Sequence, residues 1–321
     1  MSLIKSNYRP NFPFRNGHFS TIYSSKLRPS PDLVSNRERL NLSDGDFLDI
    51  DWSWPHQPST KIAIVLHGLE GNAQRTYVKG QAKTLINNGW NVAAVNFRGC
   101  SGQPNFSYQS YNAGKTDDLQ DVIGFILKKN QFDEIALLGF SLGGNLLLKY
   151  LGERDVFPKE IKKAVAISTP LSLRGSLEAL NGFENWVYRK SFLINLKKKY
   201  KSKMIDFPEM TSASNYRKIT SLLQFDNIYT APAHGFRDAY DYYDKNSSLQ
   251  FLPNIKIPVY ILNAQNDSFL SSECYPIKLA SKMKNIHLEI PKYGGHVGFH
   301  LSDQLYYSEK RSVEFLNSEW L

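Results

Sequence analysis

Short apolar runs rich in β-branched residues recur along this chain, and each is followed by a stretch of helical periodicity. KIAIVLHG, starting at Lys61, comes first; a helical stretch over about 75–88 then leads to NVAAVNF. A helix near 115–129 leads to EIALLGF, and one over 142–151 leads to KKAVAIS. A run with no polar alternation is a strand buried on both faces. Strands separated by helices of 10–15 residues predict βαβ units and a mostly parallel sheet flanked by helices.

Near Pro170 the rhythm stops. Residues 170–250 carry helical patterns with much Tyr and Lys but no convincing buried strand, and IPVYILNA restarts the sheet at 257–264. HLEIP at 287–291 adds a strand and 303–319 a closing helix. The expected organisation is a discontinuous core, 1–169 with 251–321, interrupted by a helical cap over 170–250. Residues 1–35, rich in Pro, Asn and aromatics, are expected to be an irregular arm on the body. RERLNLSDGDFLDIDWS alternates about Asp44-Gly45 and predicts a β-hairpin with a tight turn.

The strongest chemical signal is Gly139-Phe140-Ser141-Leu142-Gly143-Gly144, where EIALLGF ends and LGGNLLLKYL begins. Gly-x-Ser-x-Gly between a strand and a helix makes a sharp turn that lifts a nucleophilic hydroxyl above the sheet edge. The glycines are required because a Cβ at Gly139 or Gly143 would strike the neighbouring strand or helix. A serine needs a base, and the base needs a group to orient it. In such sheets the order is Ser, acid, His. Asp267 just past IPVYILNA and His296 just past HLEIP satisfy that order at the same sheet edge.

An Asp after a strand is more often a turn former, and Asp226, Asp241 and His300 remain alternatives. Asp238 and Asp241 lie within the cap segment and read as structural. Acyl transfer also needs two N–H donors for an oxyanion. Leu142, after the nucleophile, and Leu69, in His67-Gly68-Leu69-Glu70-Gly71, stand in the right places. His67 reads as a loop residue bonded to backbone, Cys100 as a small buried residue, and Arg98 as a tie between loops.

These residues bring a family into view. The chain resembles the α/β-hydrolases, and more narrowly the YheT-like, abhydrolase-type esterases. The resemblance rests on Arg15-Asn16-Gly17-His18, on Asn96-Phe97-Arg98-Gly99-Cys100-Ser101-Gly102, on Gly139 to Gly144, and on FDNIYTAPAHGFRDAYDYY from Phe225 to Tyr243. It implies an α/β-hydrolase fold and hydrolysis of carboxylic esters, with short- or medium-chain acyl groups or phospholipids as substrates. Where the family often carries a His before the Arg-Gly-Cys run, this chain has Phe97.

The expected function is therefore a cofactor-independent serine esterase. Ser141 is the nucleophile, His296 the base and Asp267 its partner; Leu69 and Leu142 N–H groups hold the oxyanion. Trp186, Tyr188 and Phe192 are expected to line an acyl or alcohol pocket, or to pack the cap. An amidase or thioesterase with the same triad, or a non-catalytic binding protein, are the alternatives. No metal or other cofactor is expected, since the His residues show no ligand spacing.

With 39 Lys+Arg against 30 Asp+Glu the formal charge is +9, which raises nucleic acid, membrane and acidic substrates as partners. No nucleic-acid motif accompanies it, so nucleic acid is not expected. Lys197, Lys198, Lys199, Lys201 and Lys203 crowd into one stretch, read either as a solvated helix face or as a contact for anionic lipid headgroups. Two cysteines, no 18-residue apolar run and a start lacking a signal-like h-region lead to the expectation of a cytoplasmic protein, with peripheral membrane contact open.

Overall fold

The protein is described here from a computed structural model covering residues 2–318. Among the described residues the strands are β1 (Leu3–Ile4), β2 (Asn36–Asn41), β3 (Phe47–Ser53), β4 (Lys61–Leu66), β5 (Asn91–Asn96), β6 (Glu134–Phe140), β7 (Ile161–Ile167), β8 (Val259–Leu262) and β9 (Ile286–Glu289). They form one sheet in the order β1-β9-β8-β7-β6-β4-β5-β3-β2. Every pairing from β5 through β4, β6, β7, β8 and β9 to β1 is parallel; only β3 on β5 and β2 on β3 are antiparallel.

Period-two alternation explains why these runs look uniformly apolar. In β4, Ile62, Ile64 and Leu66 enter one apolar cluster, while Ala63 and Val65 enter the other on the opposite face. Helices Thr76–Asn87, Thr116–Lys128 and Leu142–Glu153 form the crossovers, close to the bounds the periodicity predicts. The closing helix spans Tyr307–Asn317, shorter than the expected 303–319, whose last residue lies outside the described range. Because β5 and β6 follow β4 in sequence but flank it on opposite sides, the sheet has its topological switch point at β4.

The hairpin forms with its tight turn about Asp44-Gly45, as the alternation predicts. Leu42 N bonds Asp46 O at 2.8 Å and Gly45 N bonds Leu42 O at 3.1 Å, with Gly45 at φ +84°. That is a three-residue loop whose glycine takes the left-handed position, where any side chain is strained. The N-terminal segment is more ordered than its sequence suggests. Leu3–Ile4 pairs with β9, and Gly17–Ile22 is a helix capped by Asn16, whose side chain accepts from Phe19 N.

Between β7 and β8 the described residues contain helices and no strand. The longest, Trp186–Asp206, runs 21 residues. Its side chains Phe192, Leu196 and Lys199 face a cavity at the carboxyl ends of the parallel strands.

Candidate active site

Ser141 occupies the single residue between β6 and helix Leu142–Glu153. Its backbone sits at φ 51° and ψ −119°, a conformation costly for any residue with a Cβ. The surroundings enforce it. A Cβ on Gly139 would stand 2.4 Å from Gly143 O, and one on Gly143 would stand 2.6 Å from both Leu66 O and His67 O. Strand, helix start and neighbouring β4 therefore approach closer than any side chain allows. Ser141 N is tied to Ile167 O of β7 at 2.8 Å, and its side chain borders the cavity.

Asp267 lies in the loop after β8 and His296 in the loop after β9. His296 Nδ1 and Asp267 Oδ2 are 2.8 Å apart, with the Asp267 side chain fully buried. Asp267 Oδ1 accepts from Phe269 N at 2.9 Å, and the Phe269 ring stacks on the imidazole at 4.3 Å. The carboxylate so placed fixes the ring's orientation, leaving Nε2 as the free nitrogen. His296 lines the same cavity as Ser141, although no hydrogen bond joins the two side chains.

The histidine loop is held by residues that the sequence motifs did not single out. His296 N donates to Thr21 Oγ1 at 2.8 Å and Val297 N to Ser168 Oγ at 2.9 Å. Asn266 Oδ1 accepts from Gly295 N at 2.9 Å, while its Nδ2 donates to Arg15 O at 3.1 Å. A Cβ on Gly17 would come within 2.3 Å of Asn266 O. The Arg15-Asn16-Gly17-His18 segment is thus wedged between the Asp267 and His296 loops. It was legible as a family motif; its role as a brace was not, because the contact spans some 250 residues of chain.

Leu69 sits after β4 in a turn closed by Gly71 N to Gly68 O at 3.0 Å. Among the described residues, neither Leu69 N nor Leu142 N donates to a protein acceptor, and both residues line the cavity beside Ser141. The turn carries Glu70 at φ +53°, a position that usually favours glycine. Tyr111 and Lys199 hold it there through three contacts. Tyr111 Oη accepts from Glu70 N at 2.9 Å and donates to Glu70 Oε1 at 2.7 Å; Lys199 Nζ pairs with the same oxygen at 2.9 Å. Lys199 Nζ also donates to Cys100 Sγ at 3.0 Å, and burial pushes that thiol's pKa up.

His67 is fully buried at the end of β4. Its Nε2 accepts from Phe97 N at 3.1 Å, so its proton resides on Nδ1 and is donated to Gly68 O at 2.8 Å. Burial pulls its pKa down to about 3, which keeps the ring neutral. Arg98 is buried among Asp118, Asp46 and Asp44 at 2.7–3.0 Å and ties their loops together.

The alternatives take other places. Asp226 lies half-buried in the cavity wall, where Tyr243 Oη donates to it at 2.5 Å, and desolvation raises its pKa to about 6. Asp238 caps helix Ala239–Asn246, and Asp241 pairs with Lys245. His300 stacks on Phe14 at 3.6 Å and approaches Asp303, away from Ser141.

Two cavities meet at Ser141 and His296. One is lined largely by Leu, Phe and Tyr side chains; the other includes Lys26, Glu70 and Arg75. Phe192 borders both, and Tyr188 borders the second. Trp186 departs from the expectation. It is half exposed on the outer side of its helix.

The lysine run is not one solvated face. Lys197 donates to Tyr216 O and Ile219 O, and Lys203 is buried on Asn105 and Ser107. With Lys199 on Glu70, only Lys198 and Lys201 of the five are exposed.

A switch-point sheet with a strained serine at one strand end and a His–Asp pair at two others defines the α/β-hydrolase class. The family described as alpha/beta hydrolase fold matches residues 63–303. The putative esterase YheT of Escherichia coli is 32% identical over 300 residues, 92% of this chain and 87% of its own. Phospholipase ABHD3 of Mus musculus is 27% identical over 305 residues, 92% of this chain and 74% of its own. The esterase Pf2001 of Pyrococcus furiosus superposes with a TM-score of 0.56 at 19% identity, covering 90% of this chain and 97% of that one, and shares the fold. The chain belongs to the α/β-hydrolase family and is similar throughout to YheT-like hydrolases.

Proposed function

We propose that the protein is a serine esterase that works through an acyl-enzyme. The observation that carries this reading is the meeting of a strained Ser141 with a buried His296–Asp267 pair in one cavity. Asp267 accepts a hydrogen bond from His296 Nδ1–H, so the lone pair on Nε2 is available to take the proton of Ser141 Oγ. The serine–histidine hydrogen bond forms when substrate closes the site, as such bonds tighten in the substrate complex. Oγ attacks the acyl carbon, the carbonyl oxygen becomes an oxyanion held by Leu69 and Leu142 N–H groups, and the imidazolium returns its proton to the leaving alcohol. Water then enters by the same route and releases the acid.

In this reading residues 170–250 act as the cap. The more apolar cavity takes a short- or medium-chain acyl group, and the second, more polar opening accommodates the alcohol. Esterase and phospholipase relatives point the same way. A fluorophosphonate probe is expected to label the protein on Ser141 and to leave Ser141→Ala unlabelled. Hydrolysis of p-nitrophenyl esters from C2 to C16 is expected to peak at short or medium length. Equal labelling of Ser141→Ala would refute the assignment of the nucleophile.

A further inference from the structure

Helix Trp186–Asp206 carries seven basic residues and a single acid, Asp206, at its end. Side chains three and four apart share a helix face. One face, stepping through Tyr188, Phe192, Leu196, Lys199 and Lys203, turns inward, the first four to the active-site cavities and Lys203 to Asn105 and Ser107. The opposite face steps through Val187, Lys190, Ile194, Lys198, Lys201 and Ile205, and all six are exposed. Val187 is 50% exposed, Ile194 58% and Ile205 77%, with Trp186 at 50% beside them and Phe183 at 87% one turn earlier. A solvated helix face does not need a row of large apolar side chains, whose exposure opposes stability in water.

We propose that this outer face is a docking surface for an anionic lipid bilayer. Aliphatic and aromatic side chains enter the boundary between headgroups and acyl chains, while lysines on the same stripe stretch toward headgroup phosphates. Charge decides the occupant. No acid interrupts the stripe between Val187 and Ile205, so it complements a negative surface. The lysine-rich sequence pointed to such a contact, but three of its five members turn inward, and Lys190 with the apolar residues takes their place. Because the inner face of the same helix lines the cavity, docking brings the site to its lipid substrate. The link to substrate entry rests on the esterase reading; the binding itself does not.

Co-sedimentation with phosphatidylcholine vesicles, with and without phosphatidylglycerol as the anionic lipid, tests it. Wild type and Ser141→Ala are expected to bind the anionic vesicles alike, and less as salt rises. Lys198→Gln/Lys201→Gln is expected to weaken binding roughly 30-fold, at about 1 kcal/mol per lysine. Val187→Ser/Ile194→Ser is expected to weaken it by at least about 10-fold while hydrolysis of soluble p-nitrophenyl acetate stays at the wild-type rate. Two results overturn the proposal. They are wild type that ignores vesicles of both compositions, and either double variant binding as wild type does. A dimer dissolved by Val187→Ser/Ile194→Ser, with no vesicle binding, would assign the face to a second copy instead. Loss of activity in Ser141→Ala with binding intact separates this proposal from the esterase reading.

Discussion

Ser141, Asp267 and His296 show how much one side chain's environment decides. A serine hydroxyl and a histidine are common; a serine held at positive φ by two glycines that cannot carry a Cβ is not. In the proposed mechanism Asp267 acts on the histidine through orientation, and its removal as an acceptor permits the wrong tautomer. Asp267→Asn keeps the shape of the site and is expected to lower kcat about 10³- to 10⁴-fold, measured on a p-nitrophenyl ester with the variant's melting curve as control. A loss smaller than about 10-fold would move the acid role elsewhere. Asp226, one of the rivals of Asp267 by sequence, bonds Tyr243 in the cavity wall, whereas the imidazole bonds Asp267.

Between elements, Lys199 reaches from the long helix over the cavity to Glu70, the neighbour of Leu69. Glu70 sits in a conformation that favours glycine, so the turn needs its partners to hold the Leu69 N–H in place. In the proposed mechanism Lys199 and Glu70 are thus positioning residues for the oxyanion donor. Lys199→Met is expected to lower kcat on the order of 10-fold, less than deleting an oxyanion donor outright, with KM nearly constant. Lys199→Arg, which preserves the charge, is expected to recover most of it. A rise in KM with kcat intact would show instead that Lys199 contacts substrate.

For the molecule as a whole, the dependence of stability on pH reports desolvated ionisable groups. Desolvation raises the Asp226 pKa from 3.8 to about 6 even though Thr230 and Tyr243 donate to it. The folded state therefore holds a proton that the unfolded chain has released. The stability it contributes is complete below about pH 4 and is lost as pH rises through 6. His67 works in the other direction. Its pKa of about 3 when folded makes its contribution full above the unfolded value of 6.5 and lost as pH falls toward 3. Subtracting urea melts of Asp226→Asn from wild type isolates the first term. The difference is expected to swing by roughly 2–3 kcal/mol between pH 4 and 7, in favour of the variant at higher pH. A difference that stays flat across that range would mean the carboxyl is not desolvated.

The amino-acid sequence by itself determined the parallel sheet, its crossover helices and the strand–serine–helix turn. Each follows from patterns within a few residues: unbroken apolar runs, helical spacing, and glycines where backbones touch. The placement of Asp267 and His296 past two strand ends was legible because chain order and strand ends are sequence properties. Tertiary structure alone decided how the Arg15–His18 segment braces both of their loops, and that the first residues form a strand and a helix. It also decided which lysines turn inward, since Lys197, Lys199 and Lys203 differ from Lys198 and Lys201 only by the direction each takes around one helix. That direction depends on where the helix lies against the core, and the packing of distant segments sets it. Composition recorded the charge of the chain; the fold divided it between an inner clamp on Glu70 and an outer stripe open to a partner.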